Sequence, residues 1–246
     1  MTSWIIEQPG VEDLIDQIEE LRGTEKTERK KIKQVSYKAG KKQTQNNGML
    51  AVYEPENYDY YIYKEDLTGI QKNPKEPKNG EMYVSPSFIT MYGVDIGDSV
   101  EIQIAGEEKQ MRFTIRGFFE DPFAGSSMMG VKTMLINKAS MEELEQNALM
   151  AGDASTVADA EMLHIFQKKD SGQKTKEFIK ELNENTDLKN YTYRSYSKTT
   201  IEGFMLIAQN IFVGFFLVFV TVLVVVAVVV LSHSITTGIE QDYTNM

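Results

Sequence analysis

The chain contains no cysteine. A disulfide framework, a thiol nucleophile and a zinc–thiolate site are therefore excluded, and the absence accords with an exported bacterial domain. Histidine is nearly as scarce: the two present, His164 and His233, lie on different segments, which argues against a histidine-based metal site. Positive charge is in the minority, with 26 basic against 36 acidic residues and a net charge of −10. Nucleic-acid binding needs clustered positive charge, so nucleic acid is not the expected partner. The first ten residues do not read as a targeting leader. Met1-Thr-Ser-Trp-Ile-Ile-Glu-Gln-Pro-Gly10 has neither a basic n-region nor an apolar h-region.

One further absence is local. No charged residue occurs from Gly203 to Ile239, and in the core of that stretch, Ile211 to Leu231, only Gly214 and Thr221 are not strongly apolar. As a helix this core spans about 32 Å, close to the hydrocarbon thickness of a bilayer. Its Val, Leu, Ile and Phe residues together favour insertion by on the order of −5 kcal/mol. A soluble strand rarely exceeds about ten residues, so the run predicts a transmembrane helix, placed at 201–233. A charge inside the span would mark a transport path or proton relay, and none is present. Gln209 and Asn210, at one end of the span, could hydrogen-bond to neighbouring helices.

Residues 1–200 are polar and mixed, enough for one globular domain, and 234–246 form a short tail. Both ends look abrupt, which is the expectation for a segment of a longer membrane protein. The fold class expected is α+β: a mixed α/β domain with strand–helix–strand units and a β-hairpin subdomain, followed by one membrane helix. Val11, Leu14, Ile15, Ile18 and Leu21 have helical spacing within a helix predicted over Glu7–Arg22. Lys26 to Lys42 is a basic stretch in which Ile32, Val35 and Tyr37 mark a strand. It reads either as a patch for anionic lipid or an acidic partner, or as a solvated edge strand guarded by lysines. Met49–Tyr53 and Tyr58–Tyr63 read as strands, their tyrosines serving either sheet packing or ligand stacking. Lys72–Gly80 is a loop.

Met82–Val84 is a strand, followed by a short helix with Ser85 as N-cap, Pro86 at its first position and Gly93 as its stop. After the turn Ile96-Gly97-Asp98, Ser99–Ile104 and Met111–Phe118 alternate and form a hairpin through 105–109. Asp121–Gly130 is a small-residue loop without the Gly-x-Ser-x-Gly elbow or the Gly-Lys-Ser/Thr phosphate signature. Its methionines could face an apolar partner or pack on their own domain. Thr133–Ile136, Met162–Phe166 and Tyr191–Tyr196 read as strands, with helices over Lys138–Met150 and Gln173–Asn185. His164 reads as a satisfied sheet histidine. A connector, Ser197–Glu202, joins the last strand to the span.

No nucleophile–base pair or carboxylate pair stands out, so no catalytic, cofactor-binding or metal-ligating residues are assigned, no cofactor is expected, and the chain is not expected to be an enzyme. The pattern Gly80-Glu-x-x-Val-Ser-x-Ser-Phe88, then Tyr92-Gly-Val-x-Ile-Gly-Asp-Ser-Val100, then Phe113-Thr-Ile-Arg-Gly-Phe118 resembles the extracytoplasmic core of FtsX-like ABC transporter permeases, the MacB-type periplasmic core domain. Trp4 to Ile18, with Gln8-Pro-Gly-Val11, is similar to the segment that follows that family's first membrane helix. Ser234 to Tyr243 is similar to the start of the cytoplasmic stretch after its second.

The resemblance implies an extracytoplasmic core domain over 1–200, a membrane helix over 201–233 and the start of a cytoplasmic segment over 234–246. The implied function is a permease subunit that couples ATPase-driven helix motion to the outer domain, for export or mechanotransmission. Implied partners are the lipid bilayer, a cytoplasmic ABC ATPase subunit and a second permease half or copy. The alternative is a C-terminally anchored extracytoplasmic binding or sensor domain with no ATPase. The local charge bias points the other way on topology: Lys189, Arg194 and Lys198 precede the span and no basic residue follows it, which by the positive-inside rule would leave the domain in the cytoplasm.

The apolar run generates a direct test. In membranes washed with alkaline carbonate the chain is expected to stay in the pellet; its release into the supernatant would exclude an integral span.

Overall fold

The computed structural model describes residues 2–244 except 106–108, 122–123, 126, 128 and 153–156. In chain order the elements are β1 (Thr2–Ile6), α1 (Glu12–Glu20), β2 (Thr24–Ala39), β3 (Lys42–Val52), β4 (Glu81–Val84), α2 (Ser87–Tyr92), β5 (Ser99–Ala105), β6 (Lys109–Phe118), β7 (Lys132–Ile136), α3 (Lys138–Ala151), β8 (Val157–Gln167), α4 (Thr175–Asn185), β9 (Tyr193–Ser197) and α5 (Lys198–Thr244). The fold class is α+β, with one long apolar helix at the C-terminal end. The chain divides into two units, Met1–Ser195 and Tyr196–Met246.

In the first unit the strands form a nine-stranded sheet in the order β3-β7-β4-β6-β5-β2-β8-β1-β9, with β3 also pairing with β2. That extra pairing closes six strands into a ring: β2, β3, β7, β4, β6 and β5. Within it β3–β7 and β4–β6 are parallel, while the other four pairs are antiparallel. Alternation along the strands sends one set of side chains inward. Val35 and Tyr37, Leu50, Met82 and Val84, Val100 and Ile102, Phe113 and Ile115, Met134 and Ile136 belong to one buried cluster. Burying a side chain of this size contributes about 1.5–3 kcal/mol. Gly48 faces the same interior: a Cβ there would lie 2.8 Å from both Met134 Cε and Val35 Cγ2, so no larger residue fits. Phe88 of α2 and Met141, Leu144 and Ala148 of α3 join this cluster.

The N-terminal half of β2 leaves the ring. Thr24–Val35 pairs with β8, β8 with β1, and β1 neighbours β9. Helices α1 and α4 cover one face of this open sheet. Leu14, Ile18, Phe178 and Leu182 meet Trp4, Ile6, Leu163 and Ile165 in a second core. Acidic Glu12 and Asp13 stand in the first turn of α1, where the helix dipole favours them.

Several sequence expectations are corrected. The helix predicted over Glu7–Arg22 begins only at Glu12, and the residues before it include a strand, β1. Tyr58–Tyr63 is not a strand; it contributes only the isolated bridges Ile62↔Phe119 and Tyr63↔Ile70. Helix α2 begins at Ser87, so Pro86 is its N-cap and not its first residue, and Ser85 does not cap it with its side chain: the Ser85 hydroxyl bonds to Ser87 Oγ at 2.6 Å, although the Ser85 carbonyl accepts from Phe88 N–H. Gly93 does end α2, at φ 67° in the left-handed region that suits glycine. The strand β8, helix α4 and strand β9 occur in the expected order, but β1 inserts between the two strands in the sheet.

The second unit consists chiefly of α5, 47 residues or about 70 Å of helix. Leu206–Glu240 within it is long and apolar enough to cross a membrane. The helix starts at Lys198, so the connector predicted over Ser197–Glu202 is already helical beyond Ser197, and the helix continues through most of 234–246.

One ion pair holds α1 to the open sheet. Glu161 on β8 is 2% exposed, and Arg29 grips it with two hydrogen bonds of 3.0 and 2.7 Å while its third nitrogen reaches Glu12 of α1 at 2.8 Å. Removing one partner of such a pair leaves an uncompensated buried charge. Arg29→Ala is therefore expected to destabilise the first unit by about 3–5 kcal/mol in denaturant unfolding, whereas Arg29→Met combined with Glu161→Leu costs less. Equal losses in the two variants would refute this role.

Candidate functional site

Where β2 passes from the ring to the open sheet, its neighbour on one side changes. On the edge facing β3, pairing runs only from Lys33 to Ala39; beyond Leu50, β3 turns away to follow β7. The fork opens a cleft of about 970 Å³. Its floor is Arg29–Lys33 of β2 and Val157–Glu161 of β8, and its walls are the start of α1, the body of α3 and the end of β3 with Glu54 and Tyr58.

The charges in the cleft are largely matched. Arg29 bridges Glu12 and Glu161, and Lys33 bridges Glu145 of α3, at 2.9 Å, and Asp159 of β8. Hydrogen bonds from Glu161, then Glu12, raise the Arg29 guanidinium above its ordinary range. For Lys33 burial acts downward, but the bonds to Asp159 and Glu145 outweigh it and the net shift is upward. Lys30, on the other face of the strand, lies over the rings of Tyr58 at 4.3 Å and Tyr60 at 4.6 Å. Burial lowers its pKa. The tyrosines that allowed two readings in the sequence thus pack on the sheet and on a lysine: Tyr53 and Tyr60 approach to 4.9 Å between centroids.

The basic stretch Lys26–Lys42 resolves into β2 and the turn into β3. Lys26 pairs with Glu28, and Lys38 with Glu101. Among the described residues the edge of β2 between Thr24 and Ile32 has no strand beside it on the β3 side, so the guarded-edge expectation describes only that part of the strand. Sequence reading missed the cleft because the carboxylates that complete it, Glu12, Glu145, Asp159 and Glu161, come from three distant segments. The alternation of Asp159 and Glu161 in an otherwise apolar β8 was the one available signal.

His164, paired with Ser3 across β1–β8, has its Nδ1 2.8 Å from Ser3 Oγ. Burial, then nearby Lys30, lowers its pKa to about 4. Lys132, fully buried at the start of β7, donates from Nζ to the Ala124 carbonyl at 2.8 Å and is held down to about 8 by burial. It anchors the loop after Asp121, whose carboxylate accepts from Ala124 N–H. Of the methionines in that loop, Met128 lies outside the described residues and Met129 is half-buried. Gln209 and Asn210 are exposed on α5. Among the described residues no group of three or more His, Cys, Asp or Glu could hold a metal ion.

No family model matches the chain, and no curated protein matches it. Among solved structures it is similar to the periplasmic region of MacB from Actinobacillus actinomycetemcomitans, at 11% identity and a TM-score of 0.33 over 83% of this chain and 92% of that one. It is also similar to the extracellular domain of the noncanonic ABC-type transporter YknZ from Gram-positive bacteria, at 12% identity and a TM-score of 0.32 over 80% of this chain and all of that one. At these values neither likeness decides fold or function.

The His164 environment gives a pH dependence with a definite sign. The folded pKa of about 4 lies below the ordinary 6.5, so the unfolded chain binds the extra proton first. Stability from this residue is complete above pH 6.5 and falls as pH drops from 6.5 to 4. His164→Gln, which keeps a partner for Ser3, should flatten the unfolding midpoint across that window; an unchanged slope would assign the acid loss elsewhere.

Proposed function

We propose that this chain is the outer domain and a membrane helix of an ABC transporter permease of the FtsX-like type, and that it does mechanical rather than chemical work. The observation that carries this reading is the junction of its two parts. Strand β9 ends at Ser197 and the apolar helix α5 begins at Lys198, with no residue between them. A domain tethered only for localisation has no need of so direct a join, whereas a flexible linker would dissipate a helix shift. The residues that carry the family resemblance support it. Residues 80–118 form β4, α2 and the β5–β6 hairpin in the order the resemblance implies.

On this reading a cytoplasmic ATPase supplies the energy, a second permease half or copy completes the assembly, and the chain itself neither hydrolyses nucleotide nor carries a cofactor. The domain of residues 1–200 then lies outside the cytoplasm, against the bias of Lys189, Arg194 and Lys198. The second reading, an anchored binding or sensor domain without an ATPase, is favoured by the cleft at the β2 fork, which is large enough to hold a ligand.

Purification in mild detergent from cells that make the protein separates the two readings. The permease reading expects an ATPase bearing a phosphate-loop sequence to copurify in stoichiometric amount. It also expects cysteines introduced at Lys41 and Lys75 to react with an impermeant maleimide on whole cells. Purification without an ATPase, with the same labelling, would leave the anchored domain; labelling only after lysis would overturn both.

A further inference from the structure

The bare stretch of β2 is an edge inside a cleft. The Arg29 carbonyl accepts the Tyr58 hydroxyl, so Arg29 turns its backbone groups away from β8 and toward the gap left by β3. Backbone direction alternates along a strand, so Lys31 turns its N–H and C=O the same way. Pairing with β3 stops at Lys33, which leaves Lys31 without a ladder partner on that side among the described residues. Ile32 faces β8 instead and pairs with Ala160. The side chains follow a parallel logic. On the stretch from Lys26 to Lys33, Lys26, Arg29 and Lys33 have carboxylate partners, and Lys30 is stacked on two tyrosines. Lys31 is exposed and, among the described residues, is in no ion pair.

A paired Arg29 and a paired Lys33 on either side leave little for a free anion or nucleotide to bind. What the fork offers is the edge beyond the Arg29 carbonyl, in continuation of β3, with one exposed positive side chain at its centre that stands across from Glu161 and near Glu12 but makes no ion pair of its own among the described residues. We infer that the cleft binds an extended peptide segment by strand addition along Arg29–Lys31, with an acidic side chain of that segment beside Lys31. Main-chain bonds would supply the attachment and the cross-strand charge pair the selectivity. Tyr58 marks the start of the site, since its hydroxyl already satisfies one edge carbonyl as a neighbouring strand would. This inference does not depend on the permease reading.

The probe is the heptapeptide Val-Thr-Val-Glu-Val-Thr-Val carrying an N-terminal fluorophore, added to the full chain in lipid nanodiscs. In the free protein the Lys31 amide is expected to exchange with solvent at least tenfold faster than that of Ile32. The probe should slow the Lys31 amide at least tenfold and raise in anisotropy with saturation. Lys31→Glu should weaken binding tenfold or more, and a probe with Lys in place of Glu should recover it on that variant. Unchanged Ile32 exchange certifies that the variant is folded. A Lys31 amide already protected in the free chain, no effect of the probe, or equal binding by a probe methylated on its central amide would overturn the inference.

Discussion

The first unit depends on one strand serving two pairing systems. β2 is 16 residues long, about three times a typical strand. Lys33–Ala39 closes the ring with β3 and β5, and Thr24–Val35 holds β8. β8 and β5 occupy the same edge of β2 in succession: Val35 pairs with Val157 and Ser36 with Gln103. One face of the strand therefore changes character along its length. At Val35, Tyr37 and Ala39 it points into the apolar ring; at Arg29, Lys31 and Lys33 it points into a charged cleft. A one-residue slip in register would exchange the two faces and turn Gln34, Ser36 and Lys38 into the ring.

The ion pairs follow from that change. A strand that leaves the ring loses the apolar neighbours that surrounded it, and α1 and α3 stand apart on either side of the gap. Arg29 ties the sheet to α1 and Lys33 ties it to α3. Exposed pairs of this kind contribute little, but Glu161 is buried, and its carboxylate needs the guanidinium wherever the fold places it. The apolar cores determine the two sub-layers, and the charges determine how the strand passes between them.

Much of this was legible in the sequence, for local reasons. The alternation in Ser99–Ile104 and Met111–Phe118 gave the hairpin, Gly93 gave the end of α2, and the uncharged stretch after Gly203 gave α5. What was not legible is non-local. β1 is five residues long, and its identity rests on pairing with β8 more than 150 positions away. The reach of β2 was hidden because Thr24–Lys31 is nearly all charged; its pairing with β8, not its composition, makes it a strand. The tyrosines of Tyr58–Tyr63 have strand propensity, yet those positions cover existing strands instead of adding one. The cleft combines both difficulties, since no single segment contains it.

The helix α5 poses a different physical problem. Its apolar residues are exposed along the whole of Leu206–Glu240, so its stability in water is not in question; water is the wrong solvent for it. At 100° per residue, Gly203, Asn210, Gly214, Thr221 and Ser232 fall within a sector of about 40°, while Gln209 and Ala227 lie off it. The Thr221 hydroxyl already donates to the Leu217 carbonyl at 2.8 Å, which leaves a small-residue strip from Gly203 to Thr221 interrupted only by Asn210; beyond Thr221 the same sector also holds Val228 and Ile239. In lipid, close approach of backbones along such a strip is how helices associate when no hydrophobic gain separates lipid from leucine. On the permease reading, this is the side of α5 that faces the other membrane helices of the assembly. The Val- and Phe-rich remainder would then face the bilayer.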